Sequence, residues 1–190
     1  MMDIAALIHQ CAPAVAPTVV EAIMRTESGF DPLALHINGG VRLRSPPRTA
    51  AQAATWSRWL IDRGYSVDMG LMQINSRNLA SLRLTPEDAF EPCQNIKAGA
   101  AILSAQYGRS VRASGAGSVA LLQAISAYNT GTFKGGFRNG YVSKVVMHMP
   151  GSRPAVVMDL TCLLTSCATR TSPTPYTADS LVPGFDGAAR

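Results

Sequence analysis

The sequence predicts a mainly α-helical domain carrying one small β-hairpin region. Apolar residues recur at three- and four-residue spacing in a succession of short segments. Those segments are punctuated by proline, glycine and cap-type residues. The one stretch that reads as extended flanks a turn signal, Asn38-Gly39-Gly40. With 190 residues, 47% hydrophobic and 15% charged, the chain is long enough to bury one core and too apolar to be disordered throughout. Residues 1–150 are expected to form the domain. Residues 151–190, richer in Ser, Thr and Pro, are expected to form a partly disordered tail whose apolar patch Ala155–Leu164 is a candidate to dock on it.

Each element follows from local signals. Asp3 to Cys11 reads as a short helix stopped by Pro13. Pro17 leads into a second helix, with Thr18 as its expected cap. Short extended stretches flank Asn38-Gly39-Gly40, and Ser45-Pro46-Pro47 separates them from a helix over Thr49–Arg63. Trp56, Trp59 and Leu60 share one side of that helix, and aromatics at such spacing are first expected in the core; a sugar platform is the minority reading. A helix from about Ser76 to Leu82 follows. Thr85-Pro86-Glu87-Asp88 then opens another with a cap residue, proline at the first helical position and acids in the first turn. Pro92–Arg109 is the clearest long helix, and Gly99 and Ala100 permit close approach of a neighbour. After the expected loop VRASGAG, Ser118–Tyr128 is apolar enough to be a buried helix. A glycine-rich stretch then leads to a last helix over Tyr141–Met149, stopped by Pro150.

The second helix ends in a single carboxylate. Val20, Ile23, Met24 and Glu27 fall on a mostly apolar stripe, Gly29 is suited to the position just past the helix end, and Asp31-Pro32 prevents continuation. Glu27 therefore sits in the final turn. There the helix dipole and apolar neighbours both disfavour the ionised form and are expected to raise its pKa. A carboxyl group kept protonated near neutrality is what a general acid needs. Taken alone, a helical Glu is more often one that leans into solvent or pairs with an arginine.

Charge, cysteine and hydropathy narrow the classes. The formal net charge of +5 suits an anionic partner such as a cell-wall polymer, a membrane surface or nucleic acid. The basic residues are scattered, however, with Arg42, Arg44 and Arg48 the one local group. No clustered basic face or set of stacking aromatics supports nucleic-acid binding. No apolar run is long enough to span a membrane, and the N-terminus lacks the pattern of a signal peptide, which leaves the export route open. Four cysteines permit three full pairings. Cys11 ends the first helical segment and Cys93 begins a later one. A Cys11–Cys93 bridge is therefore favoured, implying an oxidising compartment, and Cys162 and Cys167 are placed to close a small loop in the tail. Four buried thiols are the plainer alternative. Neither the cysteines nor the scattered His9, His36 and His148 have metal-site spacing, so no metal site is expected.

Four motifs occur in a fixed order: Glu27-Ser28-Gly29-Phe30-Asp31-Pro32, Gly70-Leu71-Met72-Gln73-Ile74-Asn75, Pro92-Cys93-Gln94-Asn95-Ile96 with Gly99, and Ala127-Tyr128-Asn129-Thr130-Gly131. Together they resemble the soluble lytic transglycosylase family with the lysozyme-like fold, in its VirB1-like branch associated with type IV secretion and conjugation systems. The resemblance covers roughly residues 3–149 and extends to the insert between Glu27 and Gly70. It implies an α+β lysozyme-like fold and a periplasmic location. It further implies that Glu27 is the catalytic acid, that Ser28 positions the acid or substrate, and that Gln73 hydrogen-bonds a sugar N-acetyl group. Tyr128 would point into the cleft and Asn129 would support the turn beside it. Asn75 departs from the pattern, standing where many relatives have a methionine that contacts substrate, so the local subsite contact differs here.

The implied activity is a lyase reaction on peptidoglycan glycan strands, serving assembly of a type IV secretion or conjugation apparatus. Glycosidic cleavage normally uses two carboxylates. Asp68 is the best candidate for a second acid, against its ordinary reading as a loop or turn residue, and Asp31 belongs to the turn after the helix. One carboxyl suffices when the nucleophile belongs to the substrate, and no cofactor is then required. The alternatives are a hydrolytic muramidase on the same fold, with Asp68 activating water, and a non-catalytic assembly component whose partners are secretion-system proteins.

Overall fold

The computed structural model describes residues 3–151. The candidate Cys162–Cys167 loop and the tail after Gly151 lie outside the described residues. The chain divides into two compact units. Among the described residues, one comprises those from Asp3 to Ala12 together with Ile23–Ala100, and the other Pro13–Ala22 together with those from Ala101 to Gly151.

In the first unit, helix α1 (Ile4–Cys11) starts on Asp3, whose carboxylate accepts from the Ala6 amide at 3.0 Å. Helix α2 (Pro17–Glu27) contributes its last turn and a half, from Ile23 onward. It begins at Pro17 itself, so Pro17 rather than Thr18 marks the start: a proline has no N–H to satisfy in the first turn. A three-stranded antiparallel sheet follows in the order β1 (Leu35–Ile37), β2 (Val67–Met69), β3 (Ile74–Asn75). The Asn38-Gly39-Gly40 turn does not fold its two flanks onto each other. β1 pairs instead with β2, Leu35 opposite Met69 and Ile37 opposite Val67, while the segment after Gly40 forms no strand.

Between those strands lies α3 (Ala50–Asp62), capped by Thr49, whose hydroxyl accepts from the Gln52 amide at 3.1 Å. Its buried face is Ala53, Ala54, Ser57 and Leu60, and it packs on β2 and on α5 (Pro86–Ala89). Small residues rather than tryptophans allow that close approach. Trp56 is half-buried and Trp59 is 53% exposed, so the expectation of two core tryptophans fails for Trp59. The buried Ser57 hydroxyl has no hydrogen-bond partner, and nothing in the structure accounts for it. A 3-10 turn (Ser76–Asn78) runs into α4 (Leu79–Leu82). Helix α5 starts on a capping box, Thr85 and Asp88 each bonding the other's backbone amide. Helix α6 (Pro92–Ser114) then begins, and its residues to Ala100 complete this unit. Ile23, Met24, Met69, Leu71, Met72, Ile74 and Ile96 are among its largest fully buried side chains. A disulfide joins Cys11 at the end of α1 to Cys93 at the start of α6, as the cysteine positions favoured.

The second unit takes the remainder of α6, which continues helically through Val111–Ser114 where a loop was expected. It also holds α7 (Ser118–Thr130), α8 (Gly135–Arg138) and α9 (Tyr141–Met147), packed on one another. Helix α8 arises inside the glycine-rich stretch, where propensity predicts none. It is held by Ser126, whose hydroxyl donates to the Thr132 carbonyl and accepts from the Gly136 amide, each at 2.9 Å.

Candidate active site

The site is built around the end of α2. Val19, Val20, Ala22, Ile23 and Met24 are fully buried, so the helix is fixed and its final residue, the half-buried Glu27, is presented at a defined place. The chain then breaks through two consecutive left-handed residues, Gly29 and Phe30. The Asp31 carboxylate accepts from the Leu33 amide at 2.8 Å, which assigns Asp31 to the turn as expected.

Ser28 joins this helix end to the second motif. Its hydroxyl lies 2.8 Å from the Leu71 carbonyl and 3.2 Å from Met24 O; with one proton to give, it donates to the nearer. Ser28 thus acts within the protein as a tie between the turn bearing Glu27 and the loop bearing Gln73.

Gln73 sits at the bend between β2 and β3 with φ +47°, a conformation rare outside glycine. Its side chain folds back, and both amide hydrogens are used, Nε2 donating to Gly70 O at 2.9 Å and to Ala34 O at 3.1 Å. That fixes the orientation of the amide. Among the described residues none engages the other end, the acceptor oxygen Oε1.

Asn95 is the residue of this region whose role sequence reasoning missed, although it lies inside a quoted motif. It is 1% exposed, and its amide is fully used. Oδ1 accepts from the Met72 amide at 2.7 Å, while Nδ2 donates to Met69 O at 2.8 Å and to Ala89 O at 2.6 Å. One side chain therefore holds both ends of the Met69–Met72 segment. Gly70, with φ +72°, has no room for a Cβ, because Asn95 Nδ2 and Ala89 O occupy the space. A methyl at Gly99 would overlap the Met72 thioether, the close approach foreseen for Gly99. An asparagine just after a helix start was the only available signal, and it does not say which backbone the amide serves.

Asp68 and Asn75 face each other across β2 and β3. Asp68 occupies the middle of a strand, not a loop. Its two oxygens accept from Asn75 Nδ2 at 2.6 Å and from Asn38 Nδ2 at 2.9 Å. Asn75 also donates to Ser66 Oγ at 2.9 Å, and its Oδ1 accepts from the Arg77 amide at 3.0 Å, capping the 3-10 turn. Its polar groups are thus all engaged within the unit.

Tyr128 and Asn129 lie in the second unit, in the last turn of α7, which ends at the left-handed Gly131. Tyr128 is half-buried. Asn129 Oδ1 accepts from Asn139 Nδ2 at 2.9 Å, a bond that ties the segment after α8 to the helix end.

Among the described residues no group of His, Cys, Asp and Glu has the arrangement of a metal site, and no helix is long and apolar enough to cross a membrane.

Residues 5–145 match the family model described as the transglycosylase SLT domain. The chain belongs to that family, whose lysozyme-like, mainly α fold with a small sheet is the fold described above. Within it the chain is VirB1-like. It is 44% identical over 152 residues to Protein virB1 of Rhizobium radiobacter, covering 78% of this chain and 62% of the relative. It is 44% identical over 138 residues to Protein virB1 of Agrobacterium fabrum, covering 72% and 55%. It is 38% identical over 167 residues to the Type IV secretion system protein virB1 of Brucella abortus, covering 84% and 70%. The chain thus spans less than two thirds of the length of the first two relatives. No solved structure gives a match.

Proposed function

We propose that this protein is a peptidoglycan lytic transglycosylase that opens the cell wall for a type IV secretion or conjugation apparatus, acting outside the cytoplasm, in the periplasm. The observation that carries the proposal is the bond from Ser28 Oγ to Leu71 O, which couples the helix end bearing Glu27 to the loop bearing Gln73. An acid and a substrate-orienting amide then stand on two backbone segments tied to each other, which suits proximity catalysis.

In the proposed reaction, Glu27 donates its proton to the oxygen bridging N-acetylmuramic acid and N-acetylglucosamine. The C1–O bond breaks through an oxocarbenium-like state. The ionised Glu27 then takes the proton of the same muramic acid's 6-hydroxyl as that oxygen closes onto C1, giving a 1,6-anhydro end and restoring the acid. Gln73 Oε1 accepts from the N-acetyl N–H. Tyr128 and Asn129 are assigned to substrate contact and turn support on the strength of their motif, and the Cys11–Cys93 bridge fits an oxidising location. Asp68, with each oxygen already accepting an amide, is better suited to holding the sheet than to activating a water, which favours the lytic over the hydrolytic product.

The test is digestion of purified peptidoglycan with product masses read out. The wild type is expected to give anhydro ends, and Glu27→Gln to keep the fold but lose cleavage by about a hundredfold or more. Reducing ends from the wild type, or near-normal turnover by Glu27→Gln, would reject the assignment.

A further inference from the structure

We infer that Trp59, on the outer side of α3, and Arg63, the residue just past its end, form an accessory binding platform for the anionic amino-sugar polymer, separate from the residues assigned to cleavage. The inference rests on the substrate class proposed above and adds a second point of attachment to it. Trp59 is 53% exposed on a helix whose inward face is completed by Ala53, Ala54, Ser57 and Leu60, so core packing does not require a tryptophan there. The ring is nonetheless held in place. Arg63, one turn on, lies with its guanidinium carbon 3.8 Å from the ring centroid, and its Nη1 donates to Trp59 O at 3.3 Å. A guanidinium can cover only one face, and at 53% exposure much of the indole remains open to solvent.

The chemistry of this pair selects its occupant. An open indole face offers one sugar ring's C–H surface a stacking partner. Arg63 makes no ion pair with a described carboxylate, unlike Arg58, which is bonded to Glu87. Its charge remains available to a carboxylate on the polymer, and the net charge of +5 favours the approach of such a polyanion. A protein partner fits less well. The other exposed large hydrophobics among the described residues are Val41, Val119 and Met147, on other segments, and Tyr65, two residues past Arg63, whose amide bonds Leu60 O at 3.0 Å, so the end of α3 presents two exposed aromatics and no aliphatic anchor from this set. Specific protein interfaces bury on the order of 800 Å² per partner around a cluster of anchors.

The experiment uses the full chain in two measurements. Binding to insoluble purified cell-wall sacculi is measured in the Glu27→Gln background, so that the polymer stays intact. Trp59→Ala is expected to weaken it by about five- to tenfold, Arg63→Ala by less, and Trp59→Phe to restore most of it. Cleavage of a short soluble oligosaccharide is measured with Glu27 in place, where Trp59→Ala is expected to leave kcat/KM unchanged while turnover on sacculi falls. Thermal midpoints should match, because the side chain is exposed. Unaltered sacculus binding by Trp59→Ala overturns the platform and leaves the cleavage assignment standing. Equal losses on short and polymeric substrates also overturn it, because they would place Trp59 in the cleavage site.

Discussion

Two asparagine-centred hydrogen-bond clusters in the same unit behave as opposites. Asn95 is buried to 1% exposure and spends its amide on three backbone groups, at Met69, Met72 and Ala89. Asn75 and Asn38 are half-buried and exposed respectively, and each directs an amide N–H at the same side chain, the Asp68 carboxylate. Deep in the unit no water can replace a lost partner, so the full desolvation penalty of each orphaned group is felt. At the sheet surface water substitutes readily. The first cluster therefore holds the backbone that carries Gln73, whereas the second joins side chains across the surface of the sheet.

The largest effect is expected where that contrast is broken from the buried side. Asn95→Ala orphans one N–H and two carbonyls, a loss of about 3 kcal/mol or more, measurable by urea unfolding. Asn95→Asp keeps the acceptor for Met72 N but loses both donors, and should also fall well below wild type in stability and cleavage. A loss under about 1 kcal/mol for Asn95→Ala would mean that the loop holds its own shape and that the two clusters are equivalent.

A smaller effect tests the surface cluster. Asp68→Asn is expected to lower stability by about 1 kcal/mol or less and to leave anhydro products in a mass spectrum. A hundredfold fall in turnover would instead make Asp68 part of the chemistry. The smallest effect belongs to the capping box of α5, a third polar cluster and the most local. Hydrogen bonds from the Thr85 amide and hydroxyl hold the Asp88 carboxyl below its ordinary value. The stability this contributes is present above the ordinary carboxylate range and is lost as pH falls through the lowered value. Asp88→Asn should therefore narrow the gap in stability between neutral and acidic pH, a change to be sought in thermal midpoints across that range.

The parts of the fold that were legible have local causes. Asp3, Thr49 and Thr85 cap the helices they were expected to start near, and Glu27 closes α2 before Gly29. Ser28, Gln73, Asp68 and Asn75 were all singled out in advance, but the partners of each were not. Nothing in the sequence shows that Gln73 directs its nitrogen at Ala34 and Gly70, or that Asp68 lies in a strand between two amides. Trp59 was misplaced for a related reason. Periodicity finds a helix and its apolar residues, but which side faces inward depends on how closely the neighbour approaches, and β2 and α5 meet α3 across alanine and serine.

The sequence by itself determined most of the helices, the starts of α1, α3 and α5, the acid at the close of α2 and the family motifs, because caps, breakers and apolar spacing act over a few residues. Only the tertiary structure decided that β1 pairs with β2 across an intervening helix, that Asn95 holds the Gly70 loop, and that Trp59 faces outward. Each of those depends on which backbone groups lie unsatisfied beside which side chain. That is a property of packing between segments distant in the chain, and no local pattern encodes it.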